Sequence, residues 1–399
     1  AFSSWALAEF KLGRTEEATE LWEKALSLME TMTERERLRT LGLYYASVTR
    51  NFASAVQTFG ELVDKYPADT AGHNNFAVAS FLTQDFETAT EAGRRVLEIY
   101  PGSDLYRSNF ALYAMYAGEF GSAATAAQSL IDDNPGYGTT YLPVAIAHLA
   151  AGEYEQARAA YDAMAQAETS EHRASLATLG LADMAIFQGD FSAAEKLLWE
   201  GIAADVDADN RRAAAVKYVA LAENFIASGD HDAAVSAARE AVALSTSNAV
   251  QVSAALVFLD AGEIDAAGEI AAELGGKLQP QSRAFGKMLE GSIARVEGDY
   301  ANAVDLKRRA IELADLWLIR FELGRTYLEA EYFAEALSEF GACEARVGEA
   351  SAVFLDDQPT WRRLASLPYW SARAQQGLGM HTSSIEGFQV FLDRRPQGG

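Results

Sequence analysis

At 399 residues the chain is long enough for two or three globular domains or for one extended repeat array. With 49% apolar and 23% charged residues it is neither disordered nor fibrous, and a net charge of −24 argues against binding nucleic acid or an anionic membrane surface. The single cysteine, Cys343, excludes a disulfide framework and any cysteine-based zinc site. Its expected place is a helix core, and such low cysteine use fits the cytosol or a bacterial periplasm alike. No apolar run reaches the ~18 to 20 residues that span a bilayer, so no membrane insertion of this segment is expected. With no initiator Met and no charged-then-apolar leader at Ala1, the chain reads as a processed piece of something longer.

Taken in chain order, one signal recurs: a helix, a tight turn, then an aromatic residue and an alanine opening the next helix. Ala151-Gly152-Glu153-Tyr154-Glu155-Gln156-Ala157 is one copy. Gly152 suits the left-handed conformation that closes a helix. Tyr154 is an apolar wedge worth on the order of 2 to 3 kcal/mol when buried. Ala157 is small enough to let two helices approach. The closing alanine falls at Ala18, Ala55, Ala89, Ala123, Ala157, Ala194, Ala234, Ala267, Ala303 and Ala336, with Ser384 in the same place last. Successive steps run from 33 to 40 residues until the last, which is 48.

Other positions keep the phase. Three residues before the marker stand Phe52, Phe86, Phe120, Tyr154, Phe191, Ile264, Tyr300 and Phe333, with His231 and His381 in two copies. Twelve before it are Ala6, Ala77, Ala111, Ala145, Ala182, Ala222, Ala255, Gly291, Gly324 and Ala372; the second copy has Leu43 there. Twelve after it Pro67, Pro101, Pro135 and Pro396 can stop a helix. Arg50, Gln84 and Glu331 replace the turn glycine in three copies. Each helix should be only about 12 to 14 residues, marginal alone in water, so neighbouring hairpins must cover its apolar stripe.

Phe2 and Trp5 belong to an opening helix, and Thr31 to Arg39 is a polar join into the second copy. Copies two to five, roughly 36 to 168, are the most regular. Longer linking turns are expected around 166–173 and 203–212, and Gly275-Gly276-Lys277-Leu278-Gln279-Pro280 is the clearest internal break. The expected division is therefore copies one to eight over 1–274 and copies nine to eleven over 275–399. The last step contains an insertion at about 348–368, holding Val353 to Arg363, which reads as a broken helix and loop.

This pattern resembles the tetratricopeptide repeat (TPR) over nearly the whole chain, in about eleven copies. The resemblance implies an all-α fold, an α-solenoid in the form of a right-handed superhelix. Phe321-Glu322-Leu323-Gly324-Arg325, Gly348-Glu349-Ala350 and Phe354-Leu355-Asp356-Asp357, with Met32 to Leu38 ahead of Val63-Asp64-Lys65-Tyr66-Pro67, resemble the C-terminal TPR region of bacterial serine/threonine protein kinases. In that family a kinase domain and often a membrane span precede the repeats. That context is implied by the resemblance only, and it leaves the compartment open between cytoplasm and periplasm, the latter as the extracytoplasmic part of a membrane-anchored receptor.

No catalytic set emerges. The kinase phosphate loop, lysine strand and Asp-Phe-Gly are missing, and Ala174 follows His172-Arg173 where the aspartate would stand. Gly276-Lys277 lacks the first glycine and the hydroxyl of a phosphate loop. Asp205-Val206-Asp207-Ala208-Asp209 imitates a calcium loop but continues with Asn210 and reaches Val216 where a glutamate is required, so an acidic turn is the better reading. His73, His148, His172, His231 and His381 form no i, i+4 pair. No catalytic residue, metal or cofactor is expected, and the chain reads as a non-enzyme.

In TPR proteins the first helix of each repeat lines the concave groove. By that resemblance the exposed positions lie about fifteen, eleven and eight residues before the marker. They are Asn74, Val78, Phe81; Ser108, Leu112, Met115; Leu142, Ile146, Leu149; Leu179, Asp183, Ile186; Val219, Glu223, Ile226; and Val252, Leu256, Leu259. Lys and Arg are missing from this set, so it does not resemble the carboxylate-clamp subclass. An apolar face with a few carboxylates suits an amphipathic helix or apolar extended segment with basic flanks. These same side chains could instead pack against neighbouring helices, leaving no groove. The expected function is a protein-interaction scaffold, or a sensory or docking region of a larger bacterial signalling protein, binding a protein or peptide in its concave groove. Self-association is a second outcome that an exposed apolar patch permits. The alternative is a small-ligand sensor whose concave cavity closes on a metabolite.

Overall fold

The computed structural model describes residues 2–12, 14–167, 171–350 and 361–395, and every regular element among them is helical. Contacts divide the chain into two units, Ala1–Asn134 and Pro135–Gly399. In unit 1 four hairpins follow one another: α1 (Phe2–Lys11) with α2 (Thr15–Ser27), α3 (Glu34–Tyr44) with α4 (Phe52–Lys65), α5 (Thr70–Leu82) with α6 (Phe86–Ile99), and α7 (Asp104–Tyr116) with α8 (Phe120–Asp133). Unit 2 begins with α9 (Tyr141–Ala150) and α10 (Tyr154–Ala167), α11 (Glu171–Phe187) and α12 (Phe191–Asp207), and α13 (Arg211–Ser228) and α14 (His231–Leu244). It continues with α15 (Asn248–Asp260) and α16 (Ile264–Gly275), α17 (Pro280–Val296) and α18 (Tyr300–Leu313), and α19 (Trp317–Glu329) and α20 (Phe333–Ala345). A short α21 (Val347–Ala350) precedes the closing hairpin, α22 (Leu367–Gly377) and α23 (His381–Arg394). Within each unit, every hairpin packs on the next.

The repeat signal maps onto the hairpin corners residue by residue. The second helix of every hairpin starts three residues before its marker. The marker alanines are all buried, as is Ser384. The turn residue five before the marker has positive φ at Gly118, Gly152, Gly189, Gly229, Gly262, Gly298 and Gly379, and equally at Arg50, Gln84 and Glu331. Those three side chains accept a backbone that costs about 1 kcal/mol because the packed helices on either side dictate the corner. The side chains of Asn51, Asp85, Asp190, Asp230 and Asp299 cap the following helix by accepting a backbone N–H three residues on. Where an aromatic opens the second helix it is mostly half-buried, Tyr154 included, so it seals the corner rather than filling the core.

The deep wedges stand elsewhere. Phe59, Tyr161 and Phe340 are fully buried, and each presses against a helical glycine where a Cβ would sit within 2.6 Å of the ring: Gly42, Gly180 and Gly324. Copy two explains its own anomaly at Leu43. A π-helical turn over Tyr45–Thr49 absorbs one extra residue, so Gly42 takes the small-residue place one position early.

Two expectations about residues 203–212 change. The extra length around 203–212 lengthens helices α12 and α13 instead of the turn, which is only Ala208 to Asn210. Asp205 then faces inward, and its carboxylate accepts a hydrogen bond from the buried Lys217 ammonium at 2.5 Å. The acidic run is thus partly core, not a solvated turn. At Gly275–Pro280, α17 follows α16 closely enough that a Cβ on Gly286 would meet the Gly275 nitrogen at 2.6 Å. Residues 351–360 of the insertion, Pro396 and the side chain of His172 lie outside the described residues. Cys343 is buried in α20, where the Trp317 indole N–H donates to its carbonyl at 3.0 Å and burial pushes the thiol pKa up.

Candidate partner-binding face

In unit 1 the expected inner row is carried by α5 and α7. Asn74, Val78, Ser108 and Leu112 are half-buried, and the Asn109 amide donates to the Asn74 side-chain oxygen at 3.4 Å. Met115 is core. Phe81 joins Phe86, Tyr113 and Tyr116 in an aromatic cluster with ring centroids 5.1 to 5.4 Å from its own. The row here is a shallow polar and apolar strip with an aromatic end.

In unit 2 the row runs along α9, α11, α13 and α15. Leu142, Ile146, Leu149, Leu179, Asp183, Ile186 and Val219 are buried, as are Val252, Leu256 and Leu259, whereas Glu223 and Ile226 are half-buried. Over α11, α13 and α15, Trp361 to Arg363 from the end of the insertion lie against this row. The Arg362 guanidinium donates to Asp183 at 2.5 Å and lies 2.9 Å from Glu223 through Nε. Arg363 donates to Glu223 and, at 2.7 Å, to the Ser253 hydroxyl. The Trp361 ring lies 6.4 Å from that of Phe187 at the end of α11. Arg362 therefore bridges α11 and α13, and Arg363 bridges α13 and α15.

The electrostatics follow from this pairing. Burial pushes the Glu223 pKa up, but Arg363 and then Arg362 outweigh it and hold the carboxyl below the usual range. Asp260 at the end of α15 has the opposite balance: burial raises it, with Arg325 3.8 Å away opposing. Below this layer Arg325 donates to Glu322 at 2.9 Å. The ammonium of the fully buried Lys307 donates to Thr326 at 2.8 Å and to the Glu322 carbonyl at 3.0 Å. Burial lowers Lys307 to about 7 against the pull of Glu322. Beside the arginines lies an open cleft of about 170 Å³, lined by Ile186, Ile226, Leu256 and Asp260 together with Arg362, Arg363 and Arg395. Two larger clefts lie elsewhere, about 410 Å³ beside Trp22 and Tyr44 in unit 1 and about 560 Å³ among α20, α22 and α23 in unit 2.

The row of carboxylates was legible in the sequence through its phase, but its cations were not. Arg362 and Arg363 sit outside the repeat register, and only their sign, opposite to a face lacking Lys and Arg, hinted at a match. Among the described residues no cluster of three or more His, Cys, Asp or Glu could hold a metal ion, and no helix is long and apolar enough to cross a membrane.

The family model described as "Tetratricopeptide repeat" matches residues 44–104 and 109–172. Over those residues the chain carries tetratricopeptide repeats. The two TPR matches span α4 to the start of α11, where the corner spacing is most regular, and the same corner geometry recurs in the hairpins that follow. No curated protein matches the chain. Among solved structures it is similar to a tetratricopeptide repeat protein from Parabacteroides merdae, with 15% identity and a TM-score of 0.48, covering 73% of this chain and 98% of that one. It is also similar to the Cut9–Hcn1 hetero-tetramer of the APC/C, with 14% identity and a TM-score of 0.47, over 98% of this chain and 72% of that one.

Proposed function

We propose that this TPR chain is a non-catalytic protein-interaction scaffold, the sensory or docking region of a larger bacterial signalling protein, which takes a partner segment on the inner face of its first helices. The observation that carries this reading is that the face already binds polypeptide. Asp183, Glu223 and Ser253, on three successive first helices, accept hydrogen bonds from two consecutive arginines. A surface that reads side chains of its own chain in this register has the chemistry to read those of another. The small-ligand alternative is less well supported on this face. Its cavity of about 170 Å³ is smaller than the ~300 to 1,000 Å³ typical of small-molecule sites.

A photo-crosslinking side chain placed at Val78, Leu112 or Ile226, and for comparison at the exposed Glu87 and Lys196, tests the reading in the native cell. Partner adducts confined to the three inner positions support it. Adducts confined to Glu87 and Lys196 sink it.

A further inference from the structure

Trp361 to Arg363 lie on the inner face as a bound ligand would. Its contacts span great sequence distance, 179 residues from Arg362 to Asp183 and 140 from Arg363 to Glu223. Asp183 and Glu223 occupy the same phase, eleven residues before the marker, in successive repeats. The solenoid thus sets its carboxylates one hairpin apart, and two neighbouring arginines step across them, one per interhelical gap. Guanidinium is the group that such a ladder selects, since its fork can reach two carboxylates at once while an ammonium acts as a point charge. The fit is incomplete: an open cleft beside the two arginines, with Ile186, Ile226 and Leu256 as its apolar wall and Asp260 and Arg395 at its polar side, is left unfilled.

We propose that the face of α11, α13 and α15 recognises a partner segment in which an aromatic residue is followed by two arginines, and that Trp361-Arg362-Arg363 holds that place in the free chain as an internal competitor. The inference rests on the scaffold reading above and adds the partner's chemistry and its regulation. Charge complementarity supports it, because the inner row over these helices contributes two carboxylates and no cation of its own. The open cleft supports displacement, because a partner with one more apolar side chain would bury the Ile186, Ile226 and Leu256 wall that the internal segment leaves exposed.

The test uses a fluorescent peptide with the sequence of residues 361–366, titrated into the full chain and into the R362Q/R363Q variant. The variant should bind the peptide at least tenfold more tightly than the wild type, adding E223Q should abolish the gain, and a peptide with both arginines changed to lysine should bind at least tenfold more weakly. In the wild type, excess peptide should speed amide hydrogen exchange at 361–366 and leave the hairpin amides unchanged, a readout that does not depend on the variant folding. Equal affinity for wild type and folded variant, or no acceleration of exchange in the wild type, would overturn the proposal. A wild-type dimer that the peptide dissociates would move the occupant to a second copy and overturn the internal competitor. Crosslinks at Val78 and Leu112 without peptide binding would leave the scaffold standing and remove this motif alone.

Discussion

Gly180→Ala tests the packing that holds the inner face in place. Gly180 lies within α11, and a Cβ there would stand 2.3 Å from the nearest carbon of the Tyr161 ring, with two more ring carbons at 2.6 and 2.7 Å. Ordinary contact begins near 3.4 Å, so the ring would have to retreat by roughly 1 Å. Tyr161 is 1% exposed and has nowhere to swing. Helix propensity alone favours alanine by about 1 kcal/mol, whereas overpacking a closed core costs about 1 to 3 kcal/mol. With a contact this short the upper end applies, and the net loss should be about 2 kcal/mol. Gly341→Ala in the same unit is the control. Nothing lies within 4 Å of its added Cβ, so only the gain of about 1 kcal/mol remains. Urea unfolding followed by helical circular dichroism should move the two midpoints in opposite directions. A Gly180→Ala chain that gains stability as Gly341→Ala does would show that α10 and α11 are not packed this closely.

Acid should loosen the insertion. The folded pKa of Glu223 is depressed, so its contribution is present above the unfolded value of ~4.3 and lost as pH falls through the folded one. Hydrogen exchange at 361–366 should therefore rise more steeply below about pH 4.5 in the wild type than in E223Q. Lys307 has the opposite linkage. Its pKa is lowered to about 7 by burial, so the unfolded chain binds more protons between about 7 and 10.5, and stability rises with pH there. Lys307→Met should lack the component of that rise between pH 7 and 9 in thermal unfolding, and an identical rise in both chains would contradict it. In unit 1, Asp69 caps α5 through the Gly72 N–H at 2.9 Å and accepts from Arg35 at 2.8 Å and Arg39 at 2.6 Å. Asp69→Ala should cost about 3 kcal/mol in urea unfolding, and Asp69→Asn, which keeps the cap, about half of that.

Much of the fold was legible because the repeat is written in residues with special conformational needs. Among the described residues the glycine, aromatic and alanine positions located the hairpin corners to the residue, since a left-handed turn, a seal and a close helix crossing tolerate few side chains. Arg50, Gln84 and Glu331 broke the glycine rule yet kept the turn, because the packed helices impose it. Leu43 was the sequence's sign of the π-helical turn at Tyr45–Thr49, but phase alone does not reveal an extra backbone residue. Asp205 shows a different limit. Three alternating aspartates look solvated until a lysine five residues ahead of a small-residue position, Lys217, turns into the core to meet one of them. The inner face was legible in its positions and not in its occupancy. Arg362 and Arg363 belong to no repeat, and no periodicity announces a non-repeating segment's destination.

Stacked hairpins ordinarily fold from neighbour to neighbour, so that losing a few at one end leaves the others standing. The Arg362–Asp183 pair ties the far end of unit 2 back to its second hairpin across 179 residues. That tie closes a loop whose ordering entropy must be met at once and not one hairpin at a time. Melting, which a plain stack would undergo by fraying, becomes a shared event for the hairpins enclosed. Unclasping the arginines would therefore give the hairpins between residues 183 and 362 back their mechanical independence.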